Sequence, residues 1–265
     1  MINTYILGAR DIKKSIKNWR LIHIIGVQDI LSRYKRSSLG AFWITINNAV
    51  MIGALGIIFG NLFNQPLQDF LPYLAVGLIL WNFITSVLIE GCDAFVNSEN
   101  IIKQINLPFF TYLAKIIWKN IIIFLHNIII IPIIFIICSQ SISWYTIYSL
   151  IGFILLVLNI SWMVIILSLV SSRYRDFTQI IQNLLQVSFY ATPIVWKISQ
   201  ITDAKKLYFL NFNIFNYFIS IIRDPLLGIH VDINMWIINI LIVILGWFVS
   251  IYLLGMNKHK IPYWI

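Results

Sequence analysis

The sequence predicts an all-α membrane protein of six transmembrane helices, a single domain over residues 1–265, and three observations carry that reading. Hydrophobic residues make up 60% of the chain, charged residues only 11%, and the mean hydropathy is +0.85. A soluble chain of this length needs a far more polar surface. Apolar runs long enough to cross a bilayer recur along it. Finally, the 19 Lys and Arg residues sit at the ends of those runs instead of forming one patch. The net charge of +9 is therefore read as contact with anionic membrane lipid and positive-inside asymmetry, and nucleic acid is set aside as a partner.

The first twenty residues are basic and interrupted, without the short apolar core of a cleavable signal peptide. From Trp19 to Arg36 the pattern divides, with Ile24, Val27, Leu31 and Tyr34 on one side and Asp29, Ser32, Arg33 and Arg36 on the other. An amphipathic helix of this kind lies in the membrane interface, cations at the headgroups and apolar face in the acyl boundary. The first span covers 40–63, and the eight Lys and Arg residues ahead of it place the N-terminus in the cytoplasm. The connector 64–70 carries no cation and reads as external. The second span, 71–89, has Pro72 in its first turn, where a missing N–H costs least.

Residues 91–108 form a polar stretch in which Ser98, Glu99, Ile101, Ile102 and Ile105 predict a short capped amphipathic helix, closed by Pro108. The third apolar run, 109–137, is too long for one perpendicular span, and its Lys115 and Lys119 are expected to snorkel back to the cytoplasm. The fourth span, 144–170, ends at an arginine pair in SSRYRD. The fifth, 177–195, differs in kind: Gln179, Gln182, Asn183 and Gln186 follow i, i+3, i+4, i+7 spacing, so four amides share one helix face. Such a stripe faces other helices or a water-filled path, not lipid. Thr192–Pro193 breaks that helix, and residues 196–230 read as re-entrant or interfacial helices. The sixth span, 231–254, runs into a basic tail. This topology puts 15 of the 19 cations inside and four (Lys197, Lys205, Lys206, Arg223) outside, with both termini cytoplasmic.

No nucleotide-binding loop, HExxH, paired-cysteine motif or nucleophile elbow occurs, so no catalytic residue, metal site or bound cofactor is expected. If ATP hydrolysis drives this protein, it happens on another chain. Cys92 and Cys138 fall near opposite membrane faces and read as unpaired thiols. His126, inside a span, is either functional or a packing residue. Glu90 and Asp93, one turn apart, are assigned a structural contact with the polar segment that follows. The amide stripe has two readings, helix packing or a sugar-conducting path continued by the rings of Phe189, Tyr190 and Trp196.

The segments SRYKRSSLGAFW (32–43), EGCDAFVNSENIIKQINLP (90–108), SSRYRDFTQIIQNLLQVSFYATPIVW (171–196), NIFNYFISIIRDPLLG (213–228) and KIPYWI (260–265) keep one order along the chain. In that order the chain resembles the permease subunit of the ABC-type polysaccharide exporters, which move O-antigen, capsular polysaccharide and teichoic acid. The resemblance implies a homodimer in the bacterial cytoplasmic membrane, bound to two separate ATP-binding cassette subunits that carry the ATP and magnesium. It implies a coupling helix at 97–107, using Ser98, Glu99, Ile101, Ile102 and Lys103, and external gate helices within 196–228. The first and fifth spans would line the dimer channel, with Gln179, Gln182, Asn183, Gln186, Phe189, Tyr190 and Trp196 on the path. The cargo would be a polysaccharide on a polyprenyl-pyrophosphate carrier. Arg33, Tyr34 and Arg36 would meet the carrier pyrophosphate first, or else anchor lipid. An ABC permease for a small hydrophobic compound is the alternative. A membrane enzyme fits less well, because it calls for clustered acidic or histidine groups.

Overall fold

Residues 2–35, 40, 42–198 and 210–265 are described by the computed structural model, and every regular element among them is helical. In chain order these are α1 (Ile2–Lys17), α2 (Trp19–Tyr34), α3 (Phe42–Leu62), α4 (Leu67–Cys92), α5 (Glu99–Gln104), α6 (Phe110–Asn127), α7 (Ile130–Ile137), α8 (Thr146–Arg173), α9 (Phe177–Ala191), α10 (Ile214–Leu226), α11 (Ile233–Asn257) and α12 (Ile261–Trp264). Among the described residues, five stretches are long and apolar enough to cross a membrane: α3, α4, Phe110–Ile137, α8 and α11. Helix α4 is the axis, packed against α3, α6, α7, α8, α9 and α10. Its core side chains Leu74, Ile79, Ile84 and Val87 are wholly inaccessible or nearly so.

Two prolines shape the spans. Helix α4 starts at Leu67, so Pro72 lies in its second turn instead of the first. Pro72 has no N–H for the Gln68 carbonyl, and the Gln140 side chain supplies the missing donor, 3.2 Å away. In the long third run, Pro132 likewise has no N–H for the Ile128 carbonyl, which accepts from the Ile131 N–H at 3.0 Å instead, and the run divides at 128–129 into α6 and α7.

The N-terminal twenty residues are more ordered than their charge predicts. Gly8, Asp11, Ile12 and Ser15 form the buried stripe of α1, and that stripe packs on α11 and α6. Where α1 crosses α11 the backbones touch: a Cβ on Gly8 would fall 2.2 Å from the Ile251 carbonyl oxygen, and one on Gly255 would fall 2.0 Å from that of Thr4. Only glycine fits either position. Asp11 is inaccessible; its Oδ1 accepts from the Phe110 N–H at 3.0 Å, and its Oδ2 lies 2.7 Å from Lys258 Nζ. A carboxylate can be buried because it is paired and hydrogen-bonded there. Helices α1, α5 and α12 thus gather at one end of the bundle, here termed the terminal end, with the start of α6 and the end of α11.

Helix α2 clamps onto α6 through Ile22, Gly26 and Ile30, leaving Ile24 and Leu31 of the expected apolar face exposed. That division suits a helix with protein on one side and lipid on the other. Lys115 and Lys119 find partners on neighbouring elements: Lys115 lies 3.8 Å from Asp29 of α2, and Lys119 2.6 Å from Glu90 of α4. Both cysteines are buried and unpaired.

Candidate functional site

Helix α9 has 15 residues and is about 22 Å long, shorter than the roughly 30 Å hydrocarbon core. Thr178 and Leu185 turn inward, Ile181 and Gln182 are half-buried, and Gln179, Asn183 and Gln186 are exposed. The amide stripe is therefore brought together on the open side of the helix, where Gln179 Nε2 donates to Asn183 Oδ1 at 3.2 Å. Ile180, Leu184 and Val187 flank it and are exposed as well. Unpaired amides facing hydrocarbon cost on the order of 2 kcal/mol or more each, so this face requires a polar neighbour or water.

The aromatic residues separate. Phe189 turns toward the bundle and packs on Trp81, with centroids 5.8 Å apart, and Trp81 meets Phe215 of α10 at 5.3 Å. Tyr190 stays 65% exposed. Half-buried Trp196 folds back, its indole N–H donating to the Tyr190 carbonyl at 3.1 Å.

Helix α9 ends in an anchored break. Thr192 Oγ1 donates to the Ser188 carbonyl at 2.7 Å, and Asn213, the N-cap of α10, donates to Thr192 Oγ1 at 2.9 Å. The Pro193 carbonyl accepts from the Tyr73 hydroxyl at 2.8 Å and from the Arg223 guanidinium. Arg223 is only 2% exposed, 3.3 Å from Asp224 Oδ1, and its guanidinium carbon stands 4.0 Å from the Tyr73 ring centroid. Counting cations by loop had put Arg223 at an external surface, whereas the side chain is locked inside the bundle against α4. Its only sequence signal is a charge within an otherwise apolar amphipathic helix, and nothing local points to Tyr73.

The start of α9 is tied too. Thr178 Oγ1 donates to Asp93 Oδ1 at 2.7 Å and lies 2.9 Å from Ser171 Oγ, joining the ends of α4, α8 and α9. Glu90 accepts from Asn120 Nδ2 at 2.9 Å beside its Lys119 pair. The carboxylates at 90 and 93 thus contact α6 and α9, not the polar segment after them. His126 packs edge-on to Phe42, at 6.0 Å, and its Nδ1 lies 2.7 Å from the Ile122 carbonyl.

Between α4 and α6 the polar stretch forms α5, shorter than the expected 97–107. Ser98 occupies the N-cap position but is buried and makes no capping bond. Glu99 and Lys103 pair across one turn at 2.6 Å, and that hydrogen bond holds the Glu99 carboxyl below its ordinary range. Ile102 leans on the core, while Ile101 and Ile105 are exposed at the terminal end. Of the residues assigned to the pyrophosphate, Arg36 lies outside the described residues, as do the side chains of Arg33 and Tyr34 at the end of α2.

A multi-pass helical membrane protein with one short, polar-faced helix on its open side is the class that this geometry defines. Residues 20–227 match the family described as ABC-2 type transporter, and the chain belongs to that family. Among curated proteins it is similar to an O-antigen export system permease protein RfbA of Myxococcus xanthus, 22% identical over 66% of this chain and 68% of the relative. It is also similar to the O-antigen export system permease protein RfbA of Klebsiella pneumoniae, 25% identical over 69% of this chain and 71% of that protein.

Proposed function

We propose that this chain is the membrane subunit of an ATP-driven exporter that carries a lipid-linked polysaccharide across the bacterial cytoplasmic membrane. Two copies form the permease, and two separate ATP-binding cassette subunits hydrolyse ATP with magnesium. The chain crosses six times with both termini in the cytoplasm, and α9 together with the break after it makes the fifth crossing. Helix α5 and its flanks couple to the ATPase. Residues 196–228, with α10 among them, form the outer gate, and Arg33, Tyr34 and Arg36 meet the carrier pyrophosphate. The names of the relatives support a glycan of the O-antigen kind as cargo.

The observation that carries this reading is the exposed amide row of α9, Gln179, Asn183 and Gln186. In a membrane it needs a polar surface to face, and a path lined by a second copy supplies one. Amides hydrogen-bond sugar hydroxyls without charge selection, which suits a long neutral glycan. Deleting the gene and assaying surface polysaccharide together with the cytoplasmic lipid-linked precursor tests it. Loss of the first with accumulation of the second is expected; no change in either removes the reading.

A further inference from the structure

A second polar site lies away from α9. Helices α3, α4 and α6 enclose a cleft of about 220 Å³ whose polar lining is Asn48, Asn82, Ser86, Asn120 and Asn127, set among apolar walls that include Phe83 and Phe124. Asn82 Nδ2 donates to Asn48 Oδ1 at 3.1 Å, bridging α3 and α4. The Asn120 amide is committed to Glu90 and to the Ile116 carbonyl. Asn127 differs: it is only 4% exposed, and its Oδ1 accepts from no donor among the described residues. A buried acceptor without a donor costs free energy until one arrives.

The cleft is not closed by packing. Helix α3 seats on the bundle through Ile52, Gly56 and Gly60, whereas none of residues 42–51 is buried. The cleft therefore opens along the first half of α3, beside Ile44 and Met51. Among the described residues its lining carries no charged side chain, so it offers an ion no counter-charge. It offers amide donors and acceptors, a hydroxyl, and aromatic walls, the mixture of a small-molecule pocket. At about 220 Å³ it falls below the roughly 300–1,000 Å³ of drug-sized sites and suits a single ring.

We propose that this cleft binds one neutral, hydroxyl-bearing ring, a single sugar residue, with a ligand hydroxyl donating to Asn127 Oδ1 while Asn48 and Ser86 hold its other hydroxyls. The site lies within the bundle, separate from the α9 face, and its occupancy can be read without any transport. The purified full-length protein in lipid nanodiscs, bearing Ile44→Cys at the mouth, is treated with N-ethylmaleimide; the unsubstituted protein, with both native cysteines buried, gives the background. Methyl glycosides of neutral hexoses, 6-deoxyhexoses and N-acetylhexosamines are added in series. At least one glycoside should slow modification saturably, about fivefold at four times its Kd as single-site occupancy requires, while sulfate and butanol should not. Asn127→Leu should abolish the protection. A Met51→Cys reporter beside it gives the same reading if Ile44→Cys does not fold. A reactive thiol that no glycoside protects, a thiol closed to the reagent at both positions, or protection that survives Asn127→Leu each overturns the site. Failure of the gene-deletion assay would leave this binding result untouched, and failure here would leave export untouched.

Discussion

Arg223 and Asp11 hold charge inside an apolar bundle by different means. The Arg223 guanidinium spreads its donors over the Pro193 carbonyl and Asp224 while lying on the Tyr73 ring. Lysine, a point charge on a flexible stem, cannot reproduce a planar group that stacks and forks at once. Arg223→Met should lower folding stability by about 3 kcal/mol, because the Pro193 carbonyl and Asp224 lose their shared partner. Arg223→Lys should recover less than half of that in thermal unfolding of the purified protein; full recovery would show that charge alone suffices. Asp11 instead relies on one cation and one backbone N–H. Asp11→Ala and Lys258→Met should each destabilise, and the double variant should lose about 2 kcal/mol less than their sum. Strict additivity would mean that the pair is not coupled. Only Asp224 adjoins its partner in the chain; Pro193, Tyr73, Phe110 and Lys258 lie far from the charges they meet, and a local pattern reports only a charge in an apolar setting.

Helix α9 was the most legible element, since i, i+3, i+4, i+7 spacing is a property of the helix itself and needs no partner. Its length was not legible: the apolar composition runs on past Thr192, and only Pro193 marks the end. Phe189, expected on the path, packs on Trp81, a contact the sequence does not announce because the aromatic cluster comes from α4 and α10. Helix α1 went unrecognised because its buried stripe is small and polar, and a search for apolar periodicity passes over it. Two expectations belong to these helices. Replacing Gln182 and Gln186 together with Leu should cut export per folded permease strongly, and either alone only in part, at on the order of 1 kcal/mol per lost hydrogen bond. Unchanged export per folded molecule would make the stripe a packing device. Replacing Ile101 and Ile102 of α5 with Asp should leave membrane insertion intact and abolish co-purification with the ATPase subunit. Retained co-purification would remove α5 from that role.

Across the whole molecule the two ends of the bundle differ. The terminal end gathers α1, α5, α12 and the end of α8, while the turns around Ser141 and Gly228 lie at the other. Cysteine introduced at Ser141 should react with a membrane-impermeant thiol reagent in cells whose outer barrier is permeabilised, and cysteine at Tyr263 only after lysis. Both side chains are exposed, so access is set by the membrane. The reverse pattern would invert the topology. The glycine crossing of α1 on α11 also carries a consequence in time. Gly8 leaves the ribosome long before Gly255, so the two faces of that contact are never made together. Until α11 and Lys258 are made, Asp11 waits without its partner and the groove of α1 stays open. A chain stopped short of α11 would keep that open groove beside an unpaired carboxylate.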